Sequence, residues 1–308
     1  MKRKTSILIV GGTGFIGYHL AKKAQEYKWS VTSLSSKAPP KKRYLSGVKY
    51  LICNISNKKK LQKKIKKKYF NYVVNLGGYV NHFEKKKTYR SHYLGCKNLA
   101  DIFIKNYPKS FLQMGSSGEY GNLKSPQKES SKCFPITVYA RAKLSASSYL
   151  LKLFKEKKFP VTILRLYQAY GPKQDLNRFV PIIISNCIKN SKFPCSEGRQ
   201  FRDFVYVDDV VSAIIKGLKN KNVLGKIINI GTGKPIKIKN IIQFINKNLS
   251  GGHPLYGRVK LRKDENLKTY PDLKNAKKIL RWKAKIKFYD GLKKTIRFYK
   301  NERKNVGL

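Results

Sequence analysis

Residues 6–17 read SILIVGGTGFIG, and the order of features in that stretch decides the fold. The run SILIV predicts a strand over Ser6–Val10, and the glycine-rich turn behind it opens a helical pattern. In such a strand, turn and helix, backbone N–H groups and the positive helix end face a pyrophosphate. Gly11 and Gly12 are expected to make the tight turn. Gly14 would let the backbone approach the phosphates, and Gly17 would let the helix pack closely on the strand. Thr13, Phe15 and Ile16 complete the candidate loop. A lone GxGxxG pattern is weak evidence, but this one stands after a strand and before a helix, the context its chemistry requires.

Outward from this unit, apolar β-branched runs alternate with helical segments. Further strands are expected at Ser30–Leu34, Val48–Ile52, Tyr72–Leu76, Ser110–Met114, Val161–Leu166 and Lys226–Ile230. Helices are expected at Tyr18–Tyr27, Lys59–Lys67, Tyr89–Asn106 and Tyr139–Lys157. Short strands buried on both faces and separated by helices predict an α/β fold, a doubly wound parallel sheet of Rossmann type. The rhythm weakens after Gly171, where helices at Phe179–Lys189, Asp208–Lys219, Ile238–Asn248 and near Tyr289–Tyr299 predict a smaller C-terminal substrate-binding lobe. The expected division is 1–171 for the dinucleotide domain and 172–308 for the lobe, interleaved with the same sheet.

Composition narrows the class. The chain has 308 residues, 41% of them apolar, enough for a sizeable core. No apolar run reaches the ~18 residues of a membrane span. The start, Met1-Lys2-Arg3-Lys4, leads into a strand and not into a signal peptide's apolar core, so a cytoplasmic location is expected. Five cysteines, scattered and never in a CxxC pair, argue against a disulfide framework and against a metal site. The formal charge of +52 raises the possibility of a non-catalytic basic protein that binds RNA. Against it, 55 of the 68 basic residues are lysines spread along the whole chain, without any recognisable nucleic-acid module. The densest run, NKKKLQKKIKKK at residues 57–68, reads as an amphipathic surface helix, so a nucleic-acid partner is disfavoured.

The second strand ends in Ser35-Ser36-Lys37, with no carboxylate to hold the adenosine ribose hydroxyls of NAD. Two hydroxyls and a cation suit the 2′-phosphate of NADP, so NADP is favoured over NAD. A tyrosine four residues before a lysine places both on one helix face, where the ammonium favours the phenolate. That spacing alone decides nothing here, because seven tyrosines satisfy it. Context selects Tyr139 and Lys143, at the start of a long helix about two dozen residues after the fifth strand's exit, QMGSSGEYG.

These segments, in order, resemble the extended short-chain dehydrogenase/reductase group, the NAD-dependent epimerase/dehydratase family: GGTGFIG, GSSGEYG, YARAK, RLYQAYGP and GRQFRDFVYVDDV. The resemblance covers nearly the whole chain. It implies an enzyme acting on a nucleotide-activated sugar, with Tyr139 as acid/base, Lys143 supporting the phenolate and bonding the nicotinamide ribose, and Ser116 bonding the reacting sugar oxygen. It further implies cofactor contacts from Asn54, Ile55, Leu76, Gly77, Gly78 and Tyr167. Substrate contacts would come from Ser117, Gln168, Arg202 and Arg262, the two arginines suiting a diphosphate. A homodimer is implied as well. Glu119 stays open between an exposed and a supporting residue, while Asp208 and Asp209 read as orienting the helix that follows.

Three departures stand out. Gln168 and His92 occupy positions that are often Asn, and Ser117-Gly118 replaces the acid pair of the family's 4,6-dehydratases, which disfavours dehydration. Between the remaining activities, GSSGEYG and the NADP-like strand end favour a 4-keto-6-deoxy-sugar reductase over a 4-epimerase.

Overall fold

The computed structural model of the protein describes residues 4–65, 68–79, 84–261 and 265–306. Its first half alternates β1 (Ser6–Val10), α1 (Phe15–Glu26), β2 (Ser30–Ser35), β3 (Lys49–Ile52), α2 (Lys58–Ile65), β4 (Tyr72–Asn75), α3 (Lys85–Tyr89), α4 (Gly95–Phe103), β5 (Ser110–Ser116), α5 (Val138–Lys157) and β6 (Val161–Leu166). The rest comprises β7 (Gln168–Tyr170), α6 (Phe179–Ile188), β8 (Lys192–Pro194), β9 (Phe201–Arg202), β10 (Phe204–Tyr206), α7 (Val207–Lys219) and β11 (Ile227–Ile230). After these come β12 (Ile236–Lys237), α8 (Ile238–Leu249), β13 (His253–Leu255), β14 (Lys268–Thr269), α9 (Lys274–Lys278) and α10 (Phe288–Val306).

Seven strands form one sheet in the order β11-β6-β5-β4-β1-β2-β3. All its pairings are parallel. The alternating pleat explains the unbroken apolar runs: Ile7 and Ile9 pack toward Leu20 and Ala24 of α1 and Ile214 of α7, while Leu8 and Val10 pack toward Leu61 of α2, Leu99 of α4 and Leu150 of α5. The strand order reverses between β1 and β4, which opens a crevice at their C-terminal ends. Although α7 and β11 lie beyond residue 171, they join this sheet and its covering layer. The second lobe has its own core, where Ile183 and Ile184 of α6 meet Ile241 and Ile245 of α8 and Leu292 and Ile296 of α10.

One helix differs from expectation. The span Tyr89–Asn106 is broken into the end of α3, a π-helical turn at Arg90–Leu94, and α4. The extra residue of a π turn displaces side chains off the regular stripe, and Ser91 and His92 are turned to the crevice wall. The expected end of α2 at Lys67 lies outside the described residues. No helix among the described residues is long and apolar enough to cross a membrane.

Candidate active site

A cleft of about 1750 Å³ follows the C-terminal strand ends and continues into the second lobe. At its dinucleotide end Gly11 adopts a φ of 78°, and its N–H donates to Leu34 O at 2.7 Å, tying the turn to β2. Gly14 caps α1 without a side-chain hydrogen bond, and the first turn carries no acidic residue. The amides of that turn therefore remain available to an anion at the positive helix end. Gly17 sits so close to the turn that a Cβ would lie 2.3 Å from Gly11 O. Gly11, Thr13, Gly14, Phe15, Ile16 and Gly17 all line the cleft. Gly12 is not among the lining residues. It faces β2, where a Cβ would fall 2.3 Å from Ser33 Oγ, so its small size serves packing beneath the loop.

Ser35 and Ser36 line the cleft, and Ser35 Oγ accepts a hydrogen bond from the Thr13 N–H at 3.2 Å. Lys37, expected beside them, is exposed and absent from the lining, because β2 has ended and the chain turns outward. Lys58, Lys59 and Lys60 at the start of α2 bring cations to the cleft instead. Asn54 and Ile55 line the same end, as do Leu76, Gly77 and Gly78, and the Gly77 N–H donates to Asn75 Oδ1 at 3.1 Å. Tyr167 also lines the cleft. Its hydroxyl donates to Gln127 Oε1 at 2.7 Å, and burial drives its pKa up.

In the middle of the cleft, Thr137 Oγ1 accepts from the Ala140 N–H at 3.1 Å and so starts α5 just before Tyr139. One turn later Lys143 is buried, its Nζ donating to Met114 O at 2.8 Å and standing 5.9 Å from the centre of the Tyr139 ring. Ser116 ends β5 and lines the same cleft, with Ser117 beside it. The His92 ring meets the Tyr139 ring edge to face, their centres 4.9 Å apart, and His92 Nε2 lies 3.2 Å from Tyr79 O. Glu119 proves to be wholly buried.

The far end belongs to the second lobe. Gln168 and Arg202 line it, and Arg202 donates through Nη2 to Glu265 Oε1 at 2.5 Å and through Nη1 to Phe201 O at 2.8 Å. Asp203 behind it accepts from the N–H groups of Thr232 and Gly233 at 2.7 and 2.5 Å. Burial raises its pKa against the pull of those bonds. Asp209 accepts from the Lys285 and Ile286 N–H groups, fastening α7 to the approach of α10, while Asp208 is exposed. Arg262 lies outside the described residues. The cleft also contains Arg178, Glu265, Asn266 and Thr269, which sequence reasoning missed. Arg178 carried a signal that could have found it, since like Arg202 it is an arginine in a chain that otherwise prefers lysine. Among the described residues, no group of three His, Cys, Asp or Glu side chains could hold a metal ion.

The glycine turn at the start of α1 and the residues Ser116, Tyr139 and Lys143 line one continuous cleft. The profile of the NAD dependent epimerase/dehydratase family matches residues 7–231. The chain belongs to this family. Among its relatives, a Methanocaldococcus jannaschii protein provisionally named UDP-glucose 4-epimerase is 28% identical over 307 residues, covering 96% of this chain and 98% of that one. The CDP-abequose synthase of Salmonella muenchen is 33% identical over 135 residues, 43% of this chain and 46% of its own. A UDP-glucose 4-epimerase from Thermotoga maritima, solved with UDP-glucose, superimposes with a TM-score of 0.91 at 25% identity, covering 97% of this chain and 99% of that one. As a member of the epimerase/dehydratase family the protein is an NAD-dependent nucleotide-sugar enzyme of the epimerase and dehydratase type.

Proposed function

We propose that the protein is a nucleotide-sugar 4-epimerase, with Ser116, Tyr139 and Lys143 as its reacting set. The observation that carries this reading is the placement of Tyr139 and Lys143 on one face of α5, with Ser116 lining the same cleft, which joins the glycine turn to Arg202. Full-length similarity to proteins named as 4-epimerases supports it over the reductase expected from GSSGEYG. The glycine turn and Lys143 would hold the dinucleotide, which would supply hydride exchange at the sugar carbon. Tyr139 takes the proton from the sugar hydroxyl and later returns it, Ser116 holds that oxygen, and Lys143 steadies the phenolate. Ser117 and Gly118 place no acid pair beside Ser116, so the same wall does not support loss of water from the sugar.

A second reading, the 4-keto-sugar reductase, is favoured by one observation: β2 ends in the hydroxyls of Ser35 and Ser36 where a carboxylate would hold the ribose of NAD. With Lys37 outside the cleft, the cation for a 2′-phosphate would come from Lys58, Lys59 or Lys60. One assay separates the two. Purified protein incubated with UDP-glucose, and separately with a 4-keto-6-deoxy nucleotide sugar, is followed by product analysis and by nicotinamide absorbance. The epimerase interconverts two sugars with no net absorbance change and carries bound dinucleotide through purification, whereas stoichiometric NADPH consumption would establish the reductase. In either case Tyr139→Phe is expected to lower turnover by ~10²- to 10⁴-fold while dinucleotide binding persists.

A further inference from the structure

The wall that carries Ser116 is fastened from behind by one carboxylate. Glu119 lies in the turn directly after Ser116 and has no solvent exposure. Its Oε1 accepts from the Ser116 backbone N–H at 2.8 Å. Its Oε2 accepts from Arg165 Nε at 2.9 Å and from the Ser147 hydroxyl at 3.1 Å. Three elements therefore meet on one side chain: the end of β5 through Ser116, β6 through Arg165, and α5 through Ser147. Ser147 stands four residues beyond Lys143, on the stripe of α5 that also presents Tyr139 and Lys143. The turn is closed reciprocally, because Ser116 Oγ accepts from the Gly118 N–H at 3.1 Å.

A buried ion pair is a poor source of stability, since desolvating both charges offsets their attraction and an apolar pair of similar volume does as well. What the pair does better than an apolar contact is direct. Aliphatic side chains could fill this space but could not dictate where the Ser116 amide points, whereas a carboxylate with one oxygen on that amide and the other on α5 and β6 can. We propose that Glu119 is a positioning residue for the reaction, setting the Ser116 wall against the Tyr139 and Lys143 face, with Arg165 as the counter-ion that orients it. The inference rests on the Ser116, Tyr139 and Lys143 reading of the site. A misplacement of ~1 Å at such a wall costs on the order of 10²-fold in rate.

The test removes the two charges together, so that no buried charge is stranded. In the holoenzyme, Glu119→Leu combined with Arg165→Leu is expected to leave dinucleotide affinity and sugar KM within about threefold of the parent while kcat falls ~30- to 100-fold. Glu119→Gln combined with Arg165→Leu restores an acceptor for the Ser116 amide without any charge, and kcat is expected to return to within about fivefold of the parent. Parental kcat in the leucine pair, or no recovery in the glutamine pair, would overturn the proposal. Hydrogen exchange at the Ser116 amide reads the same contact without a substrate. It should be slow in the parent and the glutamine pair and faster in the leucine pair, and equal protection in all three would also overturn it. A parent that protects this amide but turns over no nucleotide sugar would sink the reading of the reaction and leave the anchor standing.

Discussion

At the dinucleotide end of the cleft, the recognition elements come chiefly from one stretch of chain, the turn between β1 and α1, and they are backbone groups whose direction follows from glycine positions. At the sugar end they are side chains drawn from segments far apart, Gln168, Arg178, Arg202, Glu265 and Thr269, and two of them, Arg202 and Glu265, are already paired with each other. The contrast teaches that the first end is preformed by local geometry, while at the second a diphosphate held by Arg202, as the proposed function requires, would have to compete with a carboxylate for the guanidinium. The two ends should therefore fail independently and in different ways.

The largest effect is expected from Gly17→Ala. Its Cβ would lie 2.3 Å from Gly11 O, so the turn must move. Overpacking of this kind costs ~1–3 kcal/mol of stability, and dinucleotide affinity should fall by a comparable factor of ten or more. Calorimetric titration with NAD and NADP checks this, and unaltered affinity would break the claim that the loop is preformed. An effect no larger, and confined to the other end, is expected from Arg202→Ala, which leaves the fold intact. Losing charge-assisted hydrogen bonds worth ~1.5–3 kcal/mol should raise the nucleotide-sugar KM about 10- to 100-fold while dinucleotide affinity holds. Glu265→Gln should act in the opposite direction, lowering KM by freeing Arg202. A rise in KM there would show that Glu265 orients the arginine and does not compete for it.

The smallest effect concerns the seam between the two regions. On α1, His19 Nε2 lies 2.9 Å from Pro172 O, and burial lowers the His19 pKa from 6.5, opposed by that hydrogen bond and by Asp208. The folded protein thus binds fewer protons here than the unfolded chain does. This contribution is present above pH 6.5 and is lost as pH falls through the folded-state pKa. His19→Gln should flatten that part of the profile, a difference of about 1–3 °C in Tm measured by thermal unfolding above and below pH 6.5. Identical profiles would remove His19 as the pH-sensitive element of the seam.

Much of the fold is legible along the chain because a strand buried on both faces is predominantly apolar, and the runs beginning at Ser6, Tyr72, Ser110 and Val161 are so apart from a few buried polar residues such as Gln113 and Arg165. The helix around His92 was legible as a helix but not as a broken one, since a π turn needs only one additional residue and leaves no compositional mark. Glu119 could not be placed from its position in GSSGEYG, which leaves it open between an exposed and a supporting residue. Its partners Arg165 and Ser147 are 46 and 28 residues away.

The sequence by itself determined the strand, glycine turn and helix at its start and the placement of Tyr139 and Lys143 on one helix face, because both depend on spacings within one strand-to-helix unit or one helix, where φ, ψ and the 3.6-residue period convert order into direction, while the order of the surrounding motifs picked this pair from the seven. Only the tertiary structure decided that Gly12 supports the loop from beneath, that Lys37 leaves the cleft while Lys58–Lys60 enter it, that Arg202 meets Glu265, and that Glu119 is buried behind Ser116. These outcomes depend on which distant segments fold against one another, and charge is placed by its partner, which local spacing does not specify.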